Sequence, residues 1–143
     1  VAVAGTADNV VPAMTKVRVD ARVNAAGEKE RVEHLMATLS SDVPGAGVEV
    51  AGGLDRPPMQ ESASTSLFAI AQSAAAAAGL PAVTGVAVGG GSDGNFTAAC
   101  GVPTLDGLGA VGGGAHADHE FVLVDTMIDR ARLLAAIVGR LIS

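Results

Sequence analysis

The chain has 143 residues, of which 49% are hydrophobic and 17% are charged, a composition that excludes a disordered tail. A chain of this length can bury roughly 68–70% of its unfolded surface as one domain. The net charge of −6 and the lack of any cluster of lysines and arginines exclude nucleic acid and anionic membrane surfaces as expected partners.

The first third of the chain predicts two strands, a helix and a third strand. A short apolar strand covers residues 1–4, and residues 16–23 alternate polar and apolar as a half-buried strand does. Apolar residues at helical spacing predict a helix over about residues 26–41, with charged residues on its opposite face. Residues 48–51 then predict another short strand.

Residues 52–58 predict a linker, because two glycines stand at its start and two prolines at its end. We therefore divide the chain into a first lobe of residues 1–55 and a second lobe of residues 56–143. Strands and helices alternate in the second lobe, as they do in an α/β layer, so the expected fold class is α/β.

Two helices are predicted in the second lobe. The first covers residues 64–78, with a serine as N-cap and Gly79 as the stop signal, and the second begins near residue 125. The predicted buried stripe of the first helix is Leu67, Phe68, Ala71 and Ala75, and the apolar face of the second is Met127, Ala131, Leu134, Val138 and Leu141.

A glycine-rich segment, residues 89–120, holds ten of the nineteen glycines. An apolar segment at residues 83–88 predicts a strand before it, and residues 96–100 predict a helical turn after its first glycines, with Asp93 as a candidate cap. A strand, a glycine loop and a helix in this order direct backbone N–H groups at an anion. The alternative is a set of tight turns in a chain rich in glycine and alanine, and the glycines alone leave both open.

Three motifs in this segment resemble, in order and spacing, the closing part of a known family. They are Gly-Gly-Gly-Ser-Asp-Gly-Asn from Gly89, Gly-Val-Pro-Thr-Leu-Asp-Gly-Leu-Gly from Gly101, and Gly-Ala-His-Ala-Asp-His-Glu from Gly114. The family comprises zinc-dependent metallopeptidases and amidohydrolases and includes glutamate carboxypeptidase, acetylornithine deacetylase and succinyl-diaminopimelate desuccinylase. The resemblance covers nearly the whole chain.

The resemblance implies two lobes: a ferredoxin-like βαββαβ lid, which is also the dimerisation lobe, inserted into an α/β catalytic lobe. It implies that this chain holds part of the lid followed by the C-terminal part of the catalytic lobe. The missing first part of the catalytic lobe would supply most ligands of a two-zinc site and the glutamate that activates water. We therefore expect a fragment that is inactive alone, since a catalytic zinc needs about three protein ligands.

The resemblance also implies the site residues. It makes His116 a metal ligand, although a lone loop histidine is by itself more often an ordinary polar residue. It makes Asn9 and Arg22 ligands of the substrate carboxylate, whereas the residues alone favour a turn former and a surface strand residue. Arg56 is a weaker candidate for that role. The full set expected to bind substrate is Asn9, Arg22, Gly89, Gly90, Gly91 and Ser92.

The expected substrate is a small amide or peptide that carries a carboxylate, and the expected assembly is a homodimer through the lid lobe. The alternative is a non-enzymatic module for anion binding or dimerisation; an upstream His-x-Asp and Glu-Glu pair in the reading frame would favour the enzyme.

Cys100 is the only cysteine, which excludes an internal disulfide and leaves the compartment open. Because the first residues do not resemble a signal peptide and no apolar run reaches the ~18 residues of a membrane span, the cytoplasm is the expected location.

One further expectation concerns the strand edges of the lid. In a ferredoxin-like sheet the first strand lies between the third and fourth, and here that strand is missing. Residues 16–23 and 48–51 would therefore pair in parallel through a right-handed crossover, or the open edge would pair with another chain.

Overall fold

The computed structural model describes residues 2–4, 9–25 and 27–143, and the chain forms four α-helices and two small antiparallel sheets within them. This mixture of helices and strands confirms the α/β class. Short 3₁₀ turns at Glu61–Ala63 and Val124–Thr126 precede the second and fourth helices. The elements are β1 (Ala2–Ala4), β2 (Thr15–Val17), α1 (Glu28–Ala37), α2 (Thr65–Ala77), α3 (Gly94–Ala99), β3 (Gly112–Gly113), β4 (Phe121–Val122) and α4 (Met127–Leu141).

Helices α2 and α4 pack against each other and form the core. Alanines on α2 allow the two helix backbones to approach closely, and two large side chains of α4 fill the contact. Two arginines of α4 form hydrogen bonds to α2 and its C-terminal residue at the edge of this contact. Arg132 donates to the Ala78 carbonyl at 3.3 Å, and Arg140 donates to the Ser73 hydroxyl at 2.7 Å. The buried residues are Ala71, Ala74, Ala75, Leu133 and Ile137.

The end of α2 follows from its local sequence. Gly79 adopts the left-handed conformation with φ 64°, and the N–H of Leu80 donates to the Ala75 carbonyl at 2.9 Å. This is the hydrogen bond of a glycine-terminated helix. The predicted stop at Gly79 is therefore confirmed, and the predicted helix over residues 64–78 matches α2 to within one residue at each end.

The apolar faces of the two core helices differ from expectation. Ala71 and Ala75 are buried as predicted, whereas Leu67 and Phe68 are only half-buried. The predicted stripe of α4 does lie along one face, but it is an exposed face: Leu134 and Val138 are each 45% exposed. The residues that contact α2 lie one position earlier in each turn. Both faces of α4 are apolar, and among the described residues only one of them packs against another helix.

The predicted strands are mostly absent from the described residues. Of residues 16–23 only the first two belong to β2, and residues 48–51 and 83–88 form no strand there. A strand satisfies its N–H and C=O groups only through a neighbouring strand, and these segments have none. The predicted parallel pairing of residues 16–23 with residues 48–51 is wrong, because residues 48–51 form no strand and β2 lies in a two-stranded sheet with β1. Self-association through an open edge stays a prediction.

The accessible surface of the chain is 10906 Å². A compact protein of 14.0 kDa exposes about 6,700 Å², and its unfolded chain about 20,000 Å². The chain therefore buries just under half of its unfolded surface, so the expected 68–70% is wrong. Much of the excess is apolar: Val86 and Val88, for example, are 80% and 76% exposed.

Hydrogen bonds between described residues connect the proposed lobes. Gln60 donates to the Asn24 carbonyl at 3.2 Å, and Arg22 donates to the Gly89 carbonyl at 3.0 Å. The lobe boundary at residues 55 and 56 stays a prediction. Among the helices that the structure describes, none is both long and apolar enough to cross a bilayer.

Candidate functional site

The glycine loop, residues 89–92, is followed by α3 and has its own internal hydrogen bonds. The Ser92 hydroxyl accepts from the Gly94 N–H at 3.1 Å, and the Ser92 N–H donates to Oδ1 of Asn95 at 2.9 Å. Asp93 stands at the N-cap position, but its side chain makes no capping bond, so the predicted cap is wrong and Ser92 takes that role. These bonds fix the turn between the loop and α3.

Asp106 is the acidic group that belongs to this loop. Its carboxylate accepts from the Ser92 hydroxyl and from the Gly107 N–H, the latter at 2.7 Å. These two hydrogen bonds lower the pKa of Asp106 below its usual range, the bond from Ser92 being the larger cause. The Ser92 hydroxyl thus both donates and accepts, so it holds two parts of the glycine-rich segment together.

Arg22 is brought to the glycine loop from 67 residues away. Its Nη1 donates to the Gly89 carbonyl at 3.0 Å, and its Nη2 contacts Oδ2 of Asp20 at 3.3 Å. Both partners of that ion pair are largely exposed, so it contributes at most about 1 kcal/mol. Two of the predicted substrate-binding residues, Arg22 and Gly89, are therefore in contact.

Asn9 is not brought to the loop by any hydrogen bond of the described residues. It lies in an exposed turn before β2. Its role in binding substrate stays a prediction, as do the roles of Arg22 and the glycine loop.

A second arginine, Arg56, lies against the same loop. Its Cζ is 5.0 Å from the centroid of the Phe96 ring, a cation–π contact that stabilises by about 0.5–1 kcal/mol near a surface. The next residue, Pro57, accepts a hydrogen bond from Nδ2 of Asn95 at 2.8 Å. These contacts attach the predicted linker to α3 and the glycine loop.

His116 lies in the loop of a hairpin. Strands β3 and β4 pair antiparallel, with Gly113 opposite Phe121, and residues 114–120 connect them. His116 is exposed and has φ 65°, a left-handed conformation that is uncommon for a residue with a side chain. Its N–H donates to Oε2 of Glu120 at 3.4 Å. The hairpin thus holds the imidazole of His116 at an exposed turn, where another group can reach it.

No metal cluster is formed within residues 9–25 and 27–143: no three histidine, cysteine, aspartate or glutamate side chains come together. The backbone N–H of His116 contacts one carboxylate of its own turn, that of Glu120. A catalytic zinc site needs about three protein ligands. The described residues therefore fit one position of a metal site and not a complete one.

The segment between the glycine loop and the hairpin is held by hydrogen bonds that the sequence did not predict. Arg130 of α4 donates to the carbonyls of Gly107 and Gly109, the latter at 2.8 Å. The N–H of Thr104 donates to the Ala63 carbonyl at 2.8 Å. Arg130 belongs to none of the sequence motifs. Its role is visible only from its position on α4, opposite this segment.

An open groove of about 410 Å³ lies beside α3, between that helix and the residues before α2. None of the predicted site residues lines it. Its walls include Pro57, Pro58, Gln60, Ala98, Val102 and Pro103.

Comparison with known proteins agrees with the motifs. The sequence profile of peptidase family M20/M25/M40 matches residues 3–140, which is nearly the whole chain. No curated protein and no solved structure is similar enough to count as a match. Members of the family generally bind metal ions, typically zinc. The chain belongs to peptidase family M20/M25/M40.

Proposed function

We propose that this member of the M20/M25/M40 peptidases is part of a zinc-dependent hydrolase that cleaves an amide bond next to a carboxylate. The enzyme would act as a carboxypeptidase or an N-deacylase. Membership in the family supports a metal-dependent hydrolase, and the geometry around the glycine loop supports the carboxylate.

The observation that carries the proposal is the contact between Arg22 and the glycine loop. The guanidinium donates one N–H to the Gly89 carbonyl, and its ion pair with Asp20 is exposed and weak. An incoming carboxylate can replace Asp20 at the same planar fork and form two parallel hydrogen bonds. Arg22 would thereby orient the substrate against the loop.

The loop itself suits the approach of a substrate. Gly90 has no atom of another residue near the position where a Cβ would stand, so the backbone is open at this point. Ser92 and Asp106 hold the loop in place through their mutual hydrogen bond. An open backbone next to a guanidinium favours the binding of a small anionic group.

His116 would contribute one imidazole to the metal. A zinc ion bound there would polarise the amide carbonyl and lower the pKa of a bound water molecule. The other ligands and the general base would come from protein outside the described residues. We therefore expect the chain alone to be inactive, and we expect a site with two zinc ions only in a complete enzyme.

The exposed apolar surface supports the view that more protein covers this chain in the working enzyme. The excess over a compact protein of the same mass is about 4,000 Å², more than the roughly 1,000–2,500 Å² that one partner buries in a large permanent interface. A homodimer through residues 1–55 and a cytoplasmic location stay predictions.

The test uses a complete enzyme of the family that carries this segment. Arg22→Gln should raise KM at least tenfold for a substrate with a free carboxylate, because a charge-assisted hydrogen bond is worth roughly 1.5–3 kcal/mol. The matched substrate with that carboxylate capped as a carboxamide should bind weakly to both enzymes, with little change in KM. Equal effects of Arg22→Gln on KM for the two substrates would show that Arg22 does not bind the carboxylate.

A further inference from the structure

The side chain of Asn95 makes a hydrogen bond at each end, and the proposed function gives it no role. Its Oδ1 accepts from the Ser92 N–H at 2.9 Å, and its Nδ2 donates to the Pro57 carbonyl at 2.8 Å. Because the first partner needs an acceptor and the second a donor, only one orientation of the carboxamide satisfies both. Asn95 thus joins the glycine loop to the predicted linker.

The bond between Asn95 and Ser92 is by itself an ordinary helix cap. The Ser92 hydroxyl accepts from the Gly94 N–H, and the Asn95 side chain reaches back to the Ser92 N–H, which is the arrangement of a capping box at the start of α3. A cap needs only the acceptor oxygen of residue 95, which a glutamine or glutamate also supplies. The bond donated to Pro57 is not part of a cap, so it requires another explanation.

The bond to Pro57 holds the linker along the glycine loop. In the preceding residue, Arg56, Cδ is 2.7 Å and Nη1 is 3.2 Å from the position where a Cβ on Gly91 would stand. Only glycine leaves room for this approach without moving the arginine. The Cζ of Arg56 also lies 5.0 Å from the centroid of the Phe96 ring. The linker therefore runs against one side of the loop, and Asn95 attaches its backbone there.

Arg22 contacts the same loop at its other end. Its Nη1 donates to the Gly89 carbonyl at 3.0 Å, and Gly89 and Ser92 can be at most about 11 Å apart along the backbone. The position of Ser92 therefore limits where the Gly89 carbonyl can lie. A group that fixes Ser92 against the linker thereby also limits the position of the carbonyl that Arg22 contacts.

We propose that Asn95 is a positioning residue: by joining Ser92 to Pro57, it sets the glycine loop where the Gly89 carbonyl meets Arg22. It acts through Gly89 on Arg22 and not on the substrate itself. This inference rests on the proposed function, because its measurable effect is on the binding of a substrate carboxylate by Arg22.

The test uses a complete enzyme of the family that carries this segment, with the same pair of substrates, one with a free carboxylate and one capped as a carboxamide. Asn95→Ala should raise KM for the free carboxylate about fivefold, the effect of losing one neutral hydrogen bond. In the Arg22→Gln background it should add less than about twofold, because residues that act through one another are not additive. KM for the capped substrate should not change. A loss of folding alone would lower the amount of active enzyme and hence the apparent kcat, but not KM.

Two further variants complete the design. Thr97→Ala removes from the same helix an exposed hydroxyl that donates to the Asp93 carbonyl, and it should leave KM unchanged for both substrates. Asn95→Gln keeps the carboxamide on a longer arm and should raise KM by less than Asn95→Ala does. If far-UV circular dichroism shows that Asn95→Ala does not fold, Asn95→Gln is measured in the same two backgrounds. Its smaller rise in KM should again be confined to the free carboxylate and to the enzyme that retains Arg22.

The outcomes separate this inference from the proposed function. An unchanged KM in Asn95→Ala, whatever its kcat or stability, would show that Asn95 only caps α3. An equal rise in KM for the capped substrate, or in the Arg22→Gln background, would show that Asn95 does not act through Arg22. Either result overturns the inference and leaves the carboxylate site standing, provided that Arg22→Gln alone raises KM. If Arg22→Gln changes nothing, the carboxylate site is wrong, and the inference about Asn95 is overturned with it.

Discussion

Two adjacent leucines on α4 provide a matched test of which face of that helix is buried. Leu133 is 3% exposed and contacts α2, whereas Leu134 is 45% exposed on the next face. Leu→Ala at a buried site costs about 2–5 kcal/mol. We expect about 2–3 kcal/mol for Leu133→Ala, because the small core can partly close around the cavity. Leu134→Ala removes side-chain atoms that are nearly half in water and should cost below about 1 kcal/mol.

The two substitutions are the same chemical change in the same helix, so helix propensity cancels in the comparison. Urea unfolding followed by far-UV circular dichroism measures both free energies of unfolding. A loss for Leu134→Ala equal to or larger than that for Leu133→Ala would refute the assignment. It would show that the predicted face of Met127, Ala131, Leu134, Val138 and Leu141 is the covered face in solution.

The loop, the hairpin and the histidine each give one further prediction. The pKa of Asp106 is lower in the folded chain than its unfolded value of about 3.9. Its contribution to stability is therefore full above that pH and is lost as the pH falls through the folded pKa. Asp106→Asn should reduce the loss of unfolding free energy at acid pH, and an unchanged loss would contradict this. Gly112→Ala would place a Cβ directly against the Phe121 carbonyl oxygen and should cost about 1–3 kcal/mol of unfolding free energy. Gly109→Ala meets no neighbouring atom and should cost below about 0.5 kcal/mol. Equal unfolding free energies for the two variants would count against the hairpin. Metal analysis after dialysis should find well under one zinc per chain, since His116 lacks partners among the described residues, and a stoichiometric ion would contradict that.

The helices could be predicted from the sequence because their signals are local. The alanines of α2 favour a helix, and Gly79 ends it through its own backbone conformation. The choice of buried face on α4 was not local. Both faces of that helix are apolar, and only the position of α2 decides that Leu133 is buried and Leu134 is exposed.

The strands could not be predicted in the same way, because a strand depends on its neighbours. Residues 83–88 have the composition of a strand, but the described chain places none beside them, and Val86 stays in solvent. The hairpin of β3 and β4 carried no alternating pattern, since two glycines form one of its strands. Its pairing depends on the absence of a Cβ at Gly112.

The contacts of the site were predicted unevenly. The resemblance to the family pointed to Arg22 and to the glycine loop, and the fold brings them within 3.0 Å of each other. Spacing alone could not have paired residues 67 positions apart. The contact of the Arg56 side chain with Gly91 and the hydrogen bonds that Arg130 donates were not predicted. They depend on how distant segments fold together.

The central claim is that His116 is a metal ligand of a hydrolase, and two histidines three residues apart test it most directly. In a complete enzyme of the family that carries this segment, His116→Asn and His119→Asn are compared for bound metal and for kcat/KM. Asparagine suits the left-handed conformation at position 116, so the turn should persist without the imidazole. The account predicts that His116→Asn loses metal and at least about 100-fold in kcat/KM, while His119→Asn keeps both. Full metal content and activity in His116→Asn would contradict it.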